Sequence, residues 1–117
     1  MTVLLVKPMH TPCRAEIGSS LEAMQNAVGG PIQAVYPFDE PVALICHEEG
    51  KLLNLPFNRA LRHPETGEVY DIIAGTFFLC AAPPDSEEFV SLSEEQLAHY
   101  RRKFLYPEFM MEVSCNG

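Results

Sequence analysis

Basic side chains are scarce in this chain. Eight Lys and Arg stand against sixteen Asp and Glu, a formal net charge of −8 at pH 7. Binding nucleic acid through its phosphates takes clustered cations, so that function class is excluded. Acidity by itself is mainly a solubility property. Long apolar runs are also missing. The first, Thr2–Val6, is five residues long and stops at Lys7-Pro8. That is too short for the apolar region of a signal peptide, and nothing later approaches a membrane span of about 20 residues. A cytoplasmic protein with no membrane partner is expected. The cysteines Cys13, Cys46, Cys80 and Cys115 form no C-x-x-C pair. In a reducing compartment they read as small buried hydrophobes or free thiols, not as staples or metal ligands. Phosphate-loop spacing is lacking too, because Gly29-Gly30-Pro31 fits neither the dinucleotide nor the Walker pattern. No cofactor is expected.

What is present suits one folded domain. Apolar residues make up 47% of the 117 and charged ones 21%, the balance of a globular protein and not a disordered one. A chain of this length buries about two-thirds of its unfolded surface and needs neither metal nor disulfide to fold. The domain is expected over residues 1–106. A tail at 107–117, oddly apolar at Phe109-Met110-Met111-Glu112-Val113, is expected to fold back onto the core.

The stretch from Val28 to Arg62 organises the rest. It opens with a helix stop at Gly29-Gly30 and holds two apolar runs, Ile32–Tyr36 and Val42–Cys46. Their β-branched and aromatic residues suit a pleated, half-buried surface. Val42–Cys46 is apolar on both faces and is placed mid-sheet. Glu48-Glu49-Gly50 reads as a tight reversal into a weaker strand, Lys51–Leu55, ended by Pro56. Asn58–Arg62 is expected to form a single helical turn. Val3–Val6 reads as a central strand and His10–Arg14 as a connection. Val69–Ile73 and Thr76–Ala81 read as strand, one long strand interrupted at Ala74-Gly75. A first helix follows Ser19 as N-cap, with Glu22 at the capping-box position and Leu21, Met24 and Val28 on one face. A second starts at Ser93 with Gln96 three residues on, Leu92 and Leu97 as a staple, and Leu97, Tyr100 and Phe104 as its buried stripe. The order β-α-β-β-β-β-α points to an α+β two-layer domain. Its antiparallel or mixed sheet has about five strands, with both helices on one face.

No motif names a reaction, and a non-enzyme is expected. Cys46-His47 suggests a nucleophile beside its base, but neighbours on a strand point to opposite faces and cannot form a dyad. His47-Glu48-Glu49 lacks the spaced histidines of a zinc site. Asp71 beside Tyr70 has no partner acid for general acid–base work. The better candidate is the polar knot of Asn58, Arg59 and Arg62. Two guanidiniums in an acidic chain could present a fork for phosphate or carboxylate. The competing and favoured reading is structural, with Arg59 and Arg62 paired to Glu48, Glu49 or Asp71. Arg101-Arg102-Lys103 reads as a solvated helix end.

Three stretches carry a resemblance: SLEAMQNAVGGPIQAVYPFDEPVALICHEEGK from Ser20 to Lys51, then LPFNRALR, then YDIIAGTFFL. In this order they resemble the signature of a family of uncharacterised domains (domain of unknown function 3846) found mainly in phages, plasmids and conjugative elements of Gram-positive bacteria. The chain departs from that pattern at His47, where Asn is expected, and at Asn54, where Gly is expected. The resemblance implies no activity, ligand or site residue. It implies a setting, that of an accessory protein of a mobile element. The expected function is non-enzymatic binding of a host or element protein, as a regulator or counter-defence factor. The alternative is a module that binds a small anionic metabolite or nucleotide through Asn58, Arg59 and Arg62.

Overall fold

A computed structural model describes residues 1–109, so the expected packing of the apolar tail from Met110 onward lies outside the described residues. Its elements in chain order are β1 (Thr2–Val6), β2 (Cys13–Glu16), α1 (Leu21–Val28), β3 (Ile32–Val35), β4 (Val42–His47), β5 (Phe57–Arg62), β6 (Val69–Ala74), β7 (Phe77–Ala81) and α2 (Glu94–Lys103). Five strands form one sheet in the order β2-β1-β7-β4-β3, and β5 and β6 form a separate two-stranded sheet. Every pairing is antiparallel. The α+β class and the five-stranded sheet are those read from the sequence.

The near-continuous apolar runs of β4 and β7 follow from their central places, because both faces of the sheet are covered. Val42, Leu44 and Cys46 with Phe77, Leu79 and Ala81 belong to one core, and Ala43 and Ile45 with Phe78 and Cys80 to the other. Met24 and Val28 of α1 close the second core, while Leu97 and Tyr100 of α2 and the adjacent Phe104 close the first. The β5–β6 hairpin shares the α2 side through Leu61 and Ile73. The expectation of both helices on one face is therefore corrected: they lie on opposite faces, and the sheet is the middle layer of three. Phe77, Phe78, Leu4, Leu44, Ile45 and Leu79 are almost wholly enclosed, and each contributes about 1.5–3 kcal/mol by leaving water.

The helix ends obey local chemistry. Ser93 accepts the Gln96 N–H while the Gln96 side chain accepts the Ser93 N–H, a complete capping box. At α1 the cap is Ser20, not Ser19, and its Oγ accepts the Ala23 N–H. Gly29 ends α1 at φ +88, a left-handed conformation that costs a glycine little.

Four further expectations are corrected. His10–Arg14 is not wholly a connection, since Cys13 begins the edge strand β2, held by register with β1. Lys51–Leu55 is not a strand. It winds through successive turns, with Leu53 N–H on the Glu49 carbonyl (2.9 Å) and Leu55 N–H on that of Gly50 (2.9 Å), and Asn54 takes φ +58, which Asn tolerates better than most residues. Asn58–Arg62 is strand, not a helical turn, because β6 offers it a partner. Val69–Ala81 is not one long strand. Gly75 turns the chain at φ +86, so β6 stays in the hairpin and β7 enters the centre of the main sheet.

Candidate functional site

The polar knot sits on β5, and its geometry begins with a register shift. Phe57 pairs with Ala74 and Arg59 with Ile73, leaving Asn58 as an extra residue on β5. A bulge of this kind re-aims side chains. It explains how the neighbours Asn58 and Arg59 are both fully enclosed, at 0% exposure, when a regular strand would send them to opposite faces.

Asn58 Nδ2 donates to the carbonyls of Val6 and Gly75, both at 2.9 Å. Arg59 Nε and Nη2 donate to the Phe104 carbonyl at 3.0 and 2.9 Å, and Nη2 also donates to that of His10 at 2.7 Å. Arg59 Nη1 donates to the backbone and side-chain oxygens of Asn58 at 3.2 and 2.9 Å. Phe104 is the C-cap of α2, so the guanidinium meets the negative end of a helix. Burial lowers the Arg59 pKa from its ordinary value, and the charge of Glu108 works the other way. One side chain thus ties together the end of α2, the loop after β1, and β5.

Arg62 lies apart, at the far end of β5. Its Nη2 is 2.7 Å from Oε1 of Glu108. The hydrogen bond and charge of Glu108 raise its pKa, with burial opposing weakly. The expected partners Glu48, Glu49 and Asp71 are thus replaced by Glu108 for Arg62 and by neutral oxygens for Arg59. Of the three candidate residues, Arg62 lines a cavity.

That cavity, of about 360 Å³, lies between the β3–β4 loop, β5, Tyr70 of β6, and α2. Phe38 packs on Tyr100 with the rings tilted by 47° and their centroids 4.6 Å apart, and meets Phe104 edge-on at 6.2 Å. Burial first, then the proximity and charge of Glu40, raises the pKa of the Tyr100 hydroxyl. Lys103 Nζ stands 5.9 Å from the Phe38 ring centre, a cation–π arrangement. The cleft joins an aromatic floor to a rim carrying Arg62, Lys103, Asp39 and Glu108. Sequence reasoning missed Phe38, Glu108 and the cavity role of Tyr100. The only local signal was the Pro37–Pro41 turn, which says nothing of what packs against it.

The remaining candidates fall into place singly. Cys46 faces the α2-side core, and its thiol lies 3.7 Å from the Gln33 carbonyl. Burial first, then Asp71, raises its pKa, with Lys51 opposing. His47 Nδ1 instead accepts the Glu49 N–H at 3.0 Å. Asp71 is partly exposed and bonded to Lys51 at 2.6 Å. Leu52 and Leu53 project from their turn at 78% and 54% exposure. Leu52 shares a second cavity of about 230 Å³ with Gln33 and Val35 of the edge strand β3.

Among the described residues no three His, Cys, Asp or Glu are grouped to hold a metal ion, and no helix is long and apolar enough to cross a membrane. Fold and site together define a small antiparallel α+β domain with an arginine latch inside and a charged aromatic cleft outside. The chain belongs to the family described as Domain of unknown function (DUF3846), whose model matches residues 1–105. No curated protein and no solved structure matches.

Proposed function

We propose that this chain is a cytoplasmic, non-enzymatic accessory protein of a mobile genetic element that acts by binding another protein, as a regulator or counter-defence factor. The observation that carries the reading is the outer side of β3. As an edge strand it has, among the described residues, a neighbour on one side only. Its sequence Ile32-Gln33-Ala34-Val35 contains no charge, no proline and no register shift, the devices that usually protect an edge. Beside it stand the exposed Leu52 and the acidic pair Glu48-Glu49. Such an edge suits an extended segment of a partner added as a further strand, with apolar side chains toward Leu52 and basic ones toward Glu48 and Glu49. The mobile-element setting is supported by the three signature stretches. The alternative, an anionic metabolite or nucleotide held by Asn58, Arg59 and Arg62, keeps only Arg62 as a group able to touch a ligand.

The test is retention of host protein from lysate at low salt by the wild-type chain and by a Leu52→Asp, Leu53→Asp double variant, with identification by mass spectrometry. The expected result is a partner held by the wild type and lost by the variant while both remain folded. Retention of nothing by the wild type, or of the same protein by both, removes the reading.

A further inference from the structure

Glu108 is held in a way that describes a binding site. Its Oε1 meets Arg62 Nη2 at 2.7 Å, and its Oε2 accepts the Ala60 N–H at 3.1 Å. The buried charge of Arg59 lies close enough for its pKa to register Glu108. Each carboxylate oxygen therefore has its own donor, one a guanidinium and one a backbone amide on an enclosed strand. This is the donor set by which proteins recognise carboxylates. The carboxylate in place belongs to the chain itself, on the irregular segment that follows α2. It forms part of the wall of the 360 Å³ cavity, whose other surfaces include Phe38, Tyr100 and Phe104.

We infer that the cleft is a binding site for a small organic acid with one carboxylate and an apolar body, and that Glu108 occupies the carboxylate position until such a ligand displaces it. The volume falls within the range of small-molecule sites, about 300–1,000 Å³. The apolar body would lie against the half-buried Phe38 ring, which is backed by the enclosed Tyr100, and the carboxylate would take the Arg62 guanidinium and the Ala60 N–H. The charge of the cleft selects a monoanion. Once Glu108 leaves, Arg62 and Lys103 still share the cavity lining with Asp39 and Glu40, and a phosphate or nucleotide would bring more negative charge than this balance favours. Displacement is cheap enough to be a switch. The Arg62 side chain is 48% exposed and that of Glu108 23%, so water reaches the pair from the arginine side and screens its attraction. Glu108 thus lowers the apparent affinity a few-fold and does not block the site. The inference goes beyond the protein-binding reading and uses a different surface, so either can fail without the other.

The experiment titrates the full ¹⁵N-labelled chain with 3-phenylpropionate and follows the amide resonances of Ala60, Tyr100 and Lys103. Inorganic phosphate and phenethylamine serve as comparison probes. Saturable shifts with the acid are expected, including the Ala60 amide, which reports loss of its bond to Glu108. Glu108→Ala should tighten binding at least threefold, and Arg62→Ala in that background should abolish it. Should Glu108→Ala not fold, Glu108→Gln takes its place, since it removes the charge but retains an oxygen for the Ala60 N–H, and tighter binding is again expected. No saturable shift in the wild type or in the Glu108 variant would overturn the inference. So would binding that survives the loss of Arg62, or that is matched by phosphate or the amine.

Discussion

Replacing Arg59 with Ala tests the latch directly. The wild-type guanidinium supplies hydrogen bonds to the carbonyls of Phe104, His10 and Asn58 and to the Asn58 side-chain oxygen. Truncation strands these acceptors where Arg59 had no exposure and leaves a void beneath the end of α2. Each buried acceptor left without a donor costs about 1–3 kcal/mol, but Phe104 and Asn58 relax and water enters, so the losses do not sum. A total of about 3–5 kcal/mol is expected, the range for breaking a buried charged contact. Against a domain stability of about 5–15 kcal/mol that is a large fraction, equivalent to a fall in Tm of roughly 10–20 °C. Arg59→Lys keeps the charge but not the planar fork and should fall between the two. Arg59→Met keeps most of the volume and should also lose stability, because the stranded carbonyls are the main cost. Urea unfolding followed by circular dichroism gives the values, provided the slope with urea stays constant. A change within about 0.5 kcal/mol for Arg59→Ala would refute the reasoning, since that is the scale of an ordinary surface substitution.

Three further outcomes follow from the same structure. Ser20→Ala should cost about 1 kcal/mol and Ser19→Ala a few tenths at most, because only Ser20 caps α1; equal losses in urea midpoints would contradict the assigned cap. Stability should be complete below pH 9 and decline as pH rises from 9 towards 12: burial pushes the Cys80 thiol from its ordinary 9.0 up to about 12 and raises Tyr100 as well, so the unfolded chain releases these protons first. Urea midpoints that stay level from about pH 8 to about pH 11 would sink that assignment. In a Cys115→Ser chain, Cys13 should react with a thiol reagent in the native state and Cys46 and Cys80 only after unfolding, because Cys13 is exposed and the other two are buried; rapid native labelling of Cys80, read by mass spectrometry, would contradict the sheet order that puts β7 at the centre.

What the sequence determined by itself is local. The capping box at Ser93 and Gln96, the stop at Gly29, and the apolar runs of β4 and β7 depend on neighbours within a turn or on a period of two, so they are legible without a partner. The spacing to Glu22 favours Ser19 as the cap, but Ser20 also has an acceptor oxygen within reach of the first turn, and it is the one used. Tertiary structure decided wherever a segment's conformation depends on distant chain. Phe57–Arg62 has a helix-compatible composition, yet it is a strand because β6 lies beside it, and its bulge at Asn58 turns two polar side chains inward. A structural role for Arg59 is the favoured reading of the sequence, but its partners were illegible, because a buried guanidinium is expected to seek a carboxylate. Only the meeting of the α2 C-terminus, the loop after β1 and β5 supplies enough carbonyls to bury it. The partner of Arg62 was illegible for the same reason: Glu108 is remote in sequence, and an ion pair leaves no periodic trace in either segment. The placement of α1 and α2 on opposite faces was likewise decided by the sheet order, since a central strand apolar on both sides demands a cover for each without saying which helix provides it.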